Sequence, residues 1–131
     1  MLLGLGIDVC SIARMEAVLA RWGERFAERI LAPEELARLA GRLDRAAALA
    51  GRFAAKEAAA KAMQGGIGVG WHDLEVRGAA KRPPELVLHG PARALADKVG
   101  VRHVHLSITH DAGVAAAVVI LEGEPTGEPW R

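Results

Sequence analysis

Residues 44–64 constrain the fold more than any other stretch of this chain. Ten of these twenty-one residues are alanine, most of the others are Leu, Met, Lys, Arg, Gln or Glu, and Gly65-Gly66 follow. Such high intrinsic propensity closed by glycine predicts one long helix, Asp44 to Gln64. Its small side chains invite close packing, and the rest of the composition agrees. Of 131 residues, 26 are alanine and only five are aromatic (three Trp, two Phe, no Tyr), so the core must be built from Leu, Val, Ile and Ala. An apolar fraction of 51% excludes disorder, and the length suits a single domain over 1–122. A net charge of +1 argues against nucleic-acid coating or a polybasic membrane anchor. The lone Cys10 cannot form an internal disulfide, and no run of about 18 apolar residues exists to span a bilayer. A cytoplasmic protein is expected.

Around the long helix, Leu2, Leu3, Leu5, Ile7 and Val9 predict a first strand that ends near Asp8. Gly4 and Gly6 mark places where another backbone or a ligand comes close. No basic segment precedes it, so it reads as a strand and not as a signal peptide. Ser11 suits an N-cap for a helix whose stripe Ile12, Met15, Leu19, Trp22 faces inward. A second stripe, Arg14, Val18, Arg21 and Arg25, falls within about 60° on another face, basic with an apolar centre. Pro33-Glu34-Glu35 opens a further helix with Leu36, Leu39 and Leu43 inward. Leu74–Arg77 and Glu85–Leu88 predict a hairpin across a turn containing Lys81-Arg82-Pro83-Pro84, and Pro91–Val99 a short helix stopped by Gly100. Val104–Thr109 and Val114–Leu121 predict two strands joined at His110-Asp111-Ala112-Gly113, with a loose tail, 123–131. The expected class is α+β, a small antiparallel sheet packed on the long helix.

Two carboxylates stand in conspicuous places: Asp8, where an apolar strand meets a helix, and Glu57, among the alanines of the long helix. Asp8 also suits a turn cap, and Glu57 with Lys61 suits an exposed i,i+4 ion pair. The alanines around Glu57 (Ala54, Ala55, Ala58, Ala59, Ala60 and Ala62) cannot screen charge with bulk, so a ligand could approach. Two hard oxygen donors with open positions suit Mg²⁺ carrying a substrate phosphate. Lys61, and Arg52 from the preceding turns, would meet the remaining phosphate charge, and His110 at a strand end could donate to a phosphate. The glycine run 65–70 follows a helix and lacks Gly-Lys-Ser/Thr, which excludes a P-loop. His72, His89, His103, His105 and His110 show no HExxH spacing, so zinc is poorly supported, and no G-x-S-x-G elbow is present. No nucleophile stands out, which fits a reaction whose nucleophile belongs to another molecule.

Three blocks occur in order: Gly6-Ile7-Asp8-Val9 with Ile12-Ala13-Arg14; Gly51-Arg52-Phe53-Ala54-Ala55-Lys56-Glu57-Ala58 with Lys61-Ala62; and Ser107-Ile108-Thr109-His110 with Ala115-Ala116-Ala117. Together they resemble the holo-acyl-carrier-protein synthase family of 4′-phosphopantetheinyl transferases, from Leu5 to Glu122. The resemblance implies transfer of the phosphopantetheine arm of coenzyme A to a serine of acyl carrier protein, with release of adenosine 3′,5′-bisphosphate. It further implies Asp8 and Glu57 as Mg²⁺ ligands, Glu57 and Lys61 as catalytic groups, and Arg52, Lys61 and His110 around coenzyme A. It also implies a homotrimer with shared active sites and a carrier-protein face at Arg14, Val18, Arg21 and Arg25.

Phosphoryl transfer asks a protein chiefly to position reactants and neutralise charge, and that demand agrees with the residues present. Glu57 would accept the serine proton directly or through a water held by the ion. Asp111 beside His110, Val114 where relatives often carry an aromatic residue, and the tail to Arg131 depart from the family pattern. The alternative is a non-catalytic module of the same fold that binds a coenzyme A-like nucleotide, or that contacts protein or RNA through its basic helix.

Overall fold

The alanine-rich segment forms the central helix, and the other elements are arranged by how closely they approach it. A computed structural model describes residues 1–66, 68–78 and 82–131. In chain order the elements are β1 (Leu2–Ser11), α1 (Ile12–Trp22), α2 (Glu24–Ile30), α3 (Pro33–Leu39), α4 (Arg45–Ala62), β2 (Leu74–Arg77), β3 (Glu85–Leu88), α5 (Gly90–Val99), β4 (Val101–Asp111) and β5 (Val114–Gly123). A 3₁₀ turn at Trp71–Asp73 leads into β2. Ile67 of the glycine run and Lys81 of the hairpin turn lie outside the described residues, as do Ala79 and Ala80.

The sheet is antiparallel in the order β1-β5-β4, and β2-β3 form a separate hairpin. Ala112 and Gly113 both take positive φ (51° and 80°), the requirement of a tight two-residue turn between strands β4 and β5. Both strands run longer than their hydrophobic patterns predict, because the hairpin keeps them paired past His110 and Leu121. One face of the sheet receives α4. Ala54, Ala55, Ala58, Ala59 and Ala62 pack there in one core with Ala117, Val119 and Leu121.

The approach is closest at β1. A Cβ on Gly4 would lie 2.2 Å from the Ala62 carbonyl oxygen, and one on Gly6 only 1.8 Å from that of Ala58. These two glycines let strand backbone touch helix backbone. A second core holds Met15, Ala27, Ile30, Leu31, Leu39, Leu49 and Ala115.

Ser11 caps α1 as expected, its hydroxyl accepting from the Arg14 N–H at 3.2 Å. Three expectations are corrected. Leu43 is fully exposed, because α3 ends at Leu39 and the chain turns at Gly41 (φ 76°) before the third position of the stripe. Trp22 is exposed as well. It ends α1 just before Gly23 (φ 61°), and the Arg21 guanidinium lies 5.1 Å from its ring centre.

The tail after β5 is anchored and not loose. Glu124 N–H donates to Gly100 O at 3.1 Å, Thr126 Oγ1 to Lys98 O at 2.6 Å, and the Trp130 indole N–H to Leu3 O at 3.3 Å. With Trp130 buried in the main core, burial of one large aromatic ring outweighs the turn-forming composition around it.

Candidate active site

Alternation along β1 sets the direction of Asp8. Leu5, Ile7 and Val9 are exposed on the outer face of the sheet, whereas Gly6 and Asp8 face α4. Asp8 lies opposite Ala117, which lies opposite Ile108. The Lys61 ammonium reaches across and donates to Asp8 Oδ1 and to Ile7 O, both at 3.0 Å. The Asp8 side chain is only 18% exposed against 56% for Lys61, so the lysine covers the carboxylate from the solvent side.

Glu57 sits one turn before Lys61 on the same flank of α4 and immediately before Ala58, where the helix backbone meets Gly6. Among the described residues Lys61 therefore pairs with Asp8, fifty-three positions away, and forms no ion pair with Glu57. Glu57 is left to line a cavity of about 300 Å³ with Lys56, Ala60, Met63, Gly65, Gly66, Val69, Gly70, Trp71 and Leu74.

These donors fit a hard cation. Both are carboxylates, and among the described residues no three His, Cys, Asp or Glu side chains are grouped to hold an ion unaided. A cation here would complete its shell with water and ligand oxygens, the habit of Mg²⁺.

Arg52 and His110 stand apart from this pair. His110 lies opposite Ala115 on β4, two strands across from β1, a separation of about 10 Å at the usual strand spacing. Arg52 follows Gly51, which packs against Ile108, so both residues flank the β4 end of the helix–sheet contact. The Arg52 Nη1 donates to Ala48 O at 3.2 Å, and among the described residues its buried Nε has no partner. Burial, with Arg42 close by, pulls this guanidinium below the usual arginine range. An anion arriving there would relieve both penalties.

The basic face divides at Gly23. Arg14, Val18 and Arg21 lie on α1, and Arg25 lies on α2, not on the continuous helix its spacing suggests. Arg14 and Val18 border a cavity of about 230 Å³ with Met15, Phe26 and Phe53. Arg25 borders an adjoining groove of about 460 Å³ with Trp22, Phe26 and Arg29. Phe26 is shared, so the two form one apolar trough edged by arginines.

A family model described as the 4′-phosphopantetheinyl transferase superfamily matches residues 4–119. The chain belongs to this family. This phosphopantetheinyl transferase is similar to the holo-[acyl-carrier-protein] synthase of Anaeromyxobacter sp. (strain K), 52% identical over 94% of this chain and 98% of that protein. Among solved structures it is similar to the Helicobacter pylori synthase in complex with coenzyme A. That likeness has 35% identity and a TM-score of 0.77, over 90% of this chain and 99% of the other. The Bacillus anthracis synthase, in complex with coenzyme A (3′,5′-ADP), gives 37% identity and a TM-score of 0.77, over 95% and 99%. The small antiparallel sheet on a long helix is thus the architecture of these relatives.

Sequence reasoning passed over several residues of the transferase. Trp22, Phe26 and Arg29 extend the basic face, and Arg25-Arg29 at i,i+4 was the signal available. Lys56 was visible only as a motif letter. It is fully buried, and its ammonium donates to Ile30 O (2.7 Å), Glu35 Oε1 (2.7 Å) and Trp71 O (3.0 Å).

Proposed function

We propose that this chain transfers the 4′-phosphopantetheine arm of coenzyme A to a serine of apo acyl carrier protein and releases adenosine 3′,5′-bisphosphate. The observation that carries the reading is the convergence of Asp8 and Lys61, with Glu57 one helical turn away beside an apolar cavity. Mg²⁺ held by Asp8 and Glu57 would supply Lewis-acid neutralisation of the pyrophosphate. Lys61 would add a second positive charge at the same oxygens. The serine oxygen attacks the phosphorus that bears the pantetheine, and the bond from that phosphorus to the bridging oxygen breaks. Glu57 takes the serine proton, directly or through an intervening water. The weakly polar arm enters the cavity beside Glu57, and Arg52 and His110 bind the phosphates of the nucleotide end.

The separation of Arg52 and His110 from Asp8 supports a homotrimer whose sites are shared between neighbours. So does the outer sheet face, where Leu5, Ile7 and Val9 are exposed beside half-buried Val118 and Ile120. We place the reaction in the cytoplasm. The lone Cys10 fits a reducing compartment, and no helix among the described residues is long and apolar enough to cross a membrane. Incubated with coenzyme A, Mg²⁺ and apo carrier protein, the chain should add one phosphopantetheine mass to the carrier, and chelator should stop the addition. Coenzyme A binding without that mass change across several carriers would instead favour a non-catalytic module.

Arg14, Val18 and Arg25 edge the trough where an acidic carrier protein would dock, and Arg21 stands beside it against the Trp22 ring. Arg14→Glu should raise KM for the carrier roughly tenfold or more at low salt, with KM for coenzyme A unchanged. The difference from wild type should shrink as ionic strength rises. Equal losses for both substrates would refute the docking face.

A further inference from the structure

Helix α4 is held at the Glu57 turn from two opposite sides. On one side Ala58 meets the backbone of β1 at Gly6. Lys56 lies two residues earlier, about 200° around the helix at 100° per residue, and therefore points the other way. Its ammonium is fully buried and has three acceptors drawn from three places: the last residue of α2, Glu35 of α3, and the carbonyl of Trp71. Glu35, also fully buried, is fixed in turn: Oε1 accepts from Ala32 N–H and Oε2 from Val76 N–H, both at 3.0 Å.

An ion pair taken wholly out of water is a poor source of stability, since desolvation offsets most of the attraction. Burial does push the Lys56 ammonium below its ordinary value, with Glu35 opposing the shift. A simpler core would place apolar residues at both positions. What the pair achieves instead is geometric. It ties α4 to Trp71, and Trp71 with Val69, Gly70 and Leu74 forms a wall of the cavity that Lys56 and Glu57 also line.

We propose that Lys56, clamped by Glu35, is a positioning residue that holds the Trp71 wall at a fixed distance from Glu57 and thereby sets the width of the cavity that receives the donor's arm. The inference rests on the assignment of that cavity to the arm of coenzyme A. Lys56 touches neither the reacting atoms nor the nucleotide end. Its loss should be felt only by a ligand that carries the arm.

The test is the double variant Lys56→Met/Glu35→Leu, which removes both charges at similar volume and leaves no unpaired buried ion. Carrier labelling gives KM for coenzyme A, and inhibition by adenosine 3′,5′-bisphosphate, which lacks the arm, gives its Ki. The expected result is a KM for coenzyme A raised at least about tenfold with Ki within twofold of wild type. Unchanged values of both, or a parallel rise in both, would overturn the proposal. A second measurement needs no variant. Hydrogen exchange in wild-type residues 69–74 should be as slow without coenzyme A as with it, because the wall is already pinned. Fast exchange there that slows only on coenzyme A binding would also overturn it. Failure of the wild-type chain to label any carrier would instead strike the transferase reading itself.

Discussion

Asp8→Asn and Glu57→Gln should each lower kcat/KM for carrier modification by at least about a hundredfold, the scale on which a general base or a charge-neutralising group contributes. Both substitutions keep the size and shape of the side chain. Asparagine can still accept from the Lys61 ammonium through its amide oxygen, so β1 and α4 stay aligned while the negative charge is lost. Glutamine at 57 loses a charge and a proton acceptor together, and should be the more damaging of the two. Neither residue is part of the buried core. Unfolding free energies should therefore stay within about 1 kcal/mol of wild type. Steady-state kinetics beside chemical denaturation would check both halves of the expectation. Wild-type turnover in either variant removes that carboxylate from its role, and a large stability loss would reassign it to the fold.

The second large effect is structural. Gly6→Ala places a carbon 1.8 Å from the Ala58 carbonyl oxygen, with backbone on both sides and no flexible side chain to yield. Strand and helix must separate, and the packing of the α4 alanines on the sheet must open with them. The expected loss is about 3 kcal/mol or more, beyond an ordinary overpacked core position. Gly127→Ala is the control. That glycine has a positive φ of 87° but open space around it, so only backbone strain of about 1 kcal/mol is expected. Urea denaturation of the two variants compares close approach with dihedral strain. Similar losses in both would mean that the β1–α4 contact is softer than its geometry indicates.

The elements that could be read from the chain are those whose cause is local. The alanine run specifies α4 by propensity, with the helix at Arg45–Ala62 inside the expected 44–64, and Ser11 specifies the start of α1 by its hydroxyl. Hairpin strands Leu74–Arg77 and Glu85–Leu88 fall where alternation and flanking turn residues predict them. What could not be read depends on contacts made at a distance. The spacing of Arg14, Val18, Arg21 and Arg25 is helical throughout, and only Gly23 at positive φ breaks the face in two. Leu43 satisfies the stripe arithmetic, but the helix ends before reaching it. Trp130 sits among prolines and glycines that signal a loose end, and only the fold reveals the core site that it fills.

The candidate site divides along the same line. Asp8 and Glu57 stand out because a carboxylate in an apolar or alanine setting needs a reason. Lys61, four residues from Glu57, suggests a partner along its own helix, yet its ammonium goes to Asp8. Local spacing offers Lys61 only Glu57, and the Gly6–Ala58 approach supplies the other carboxylate by bringing β1 within reach. Lys56 and Glu35 are twenty-one positions apart, and no local pattern pairs them. Their bond becomes visible only once α3 is laid against α4.

A strand and helix that meet at main-chain distance have no adjustable side chains between them, so this junction transmits displacement like a rigid weld. Change tolerated elsewhere in the molecule cannot be absorbed there. If the arginine-edged trough of the first two helices is the docking face, adaptation to different carrier partners should therefore accumulate there, while the β1–α4 seam keeps its glycines and alanines.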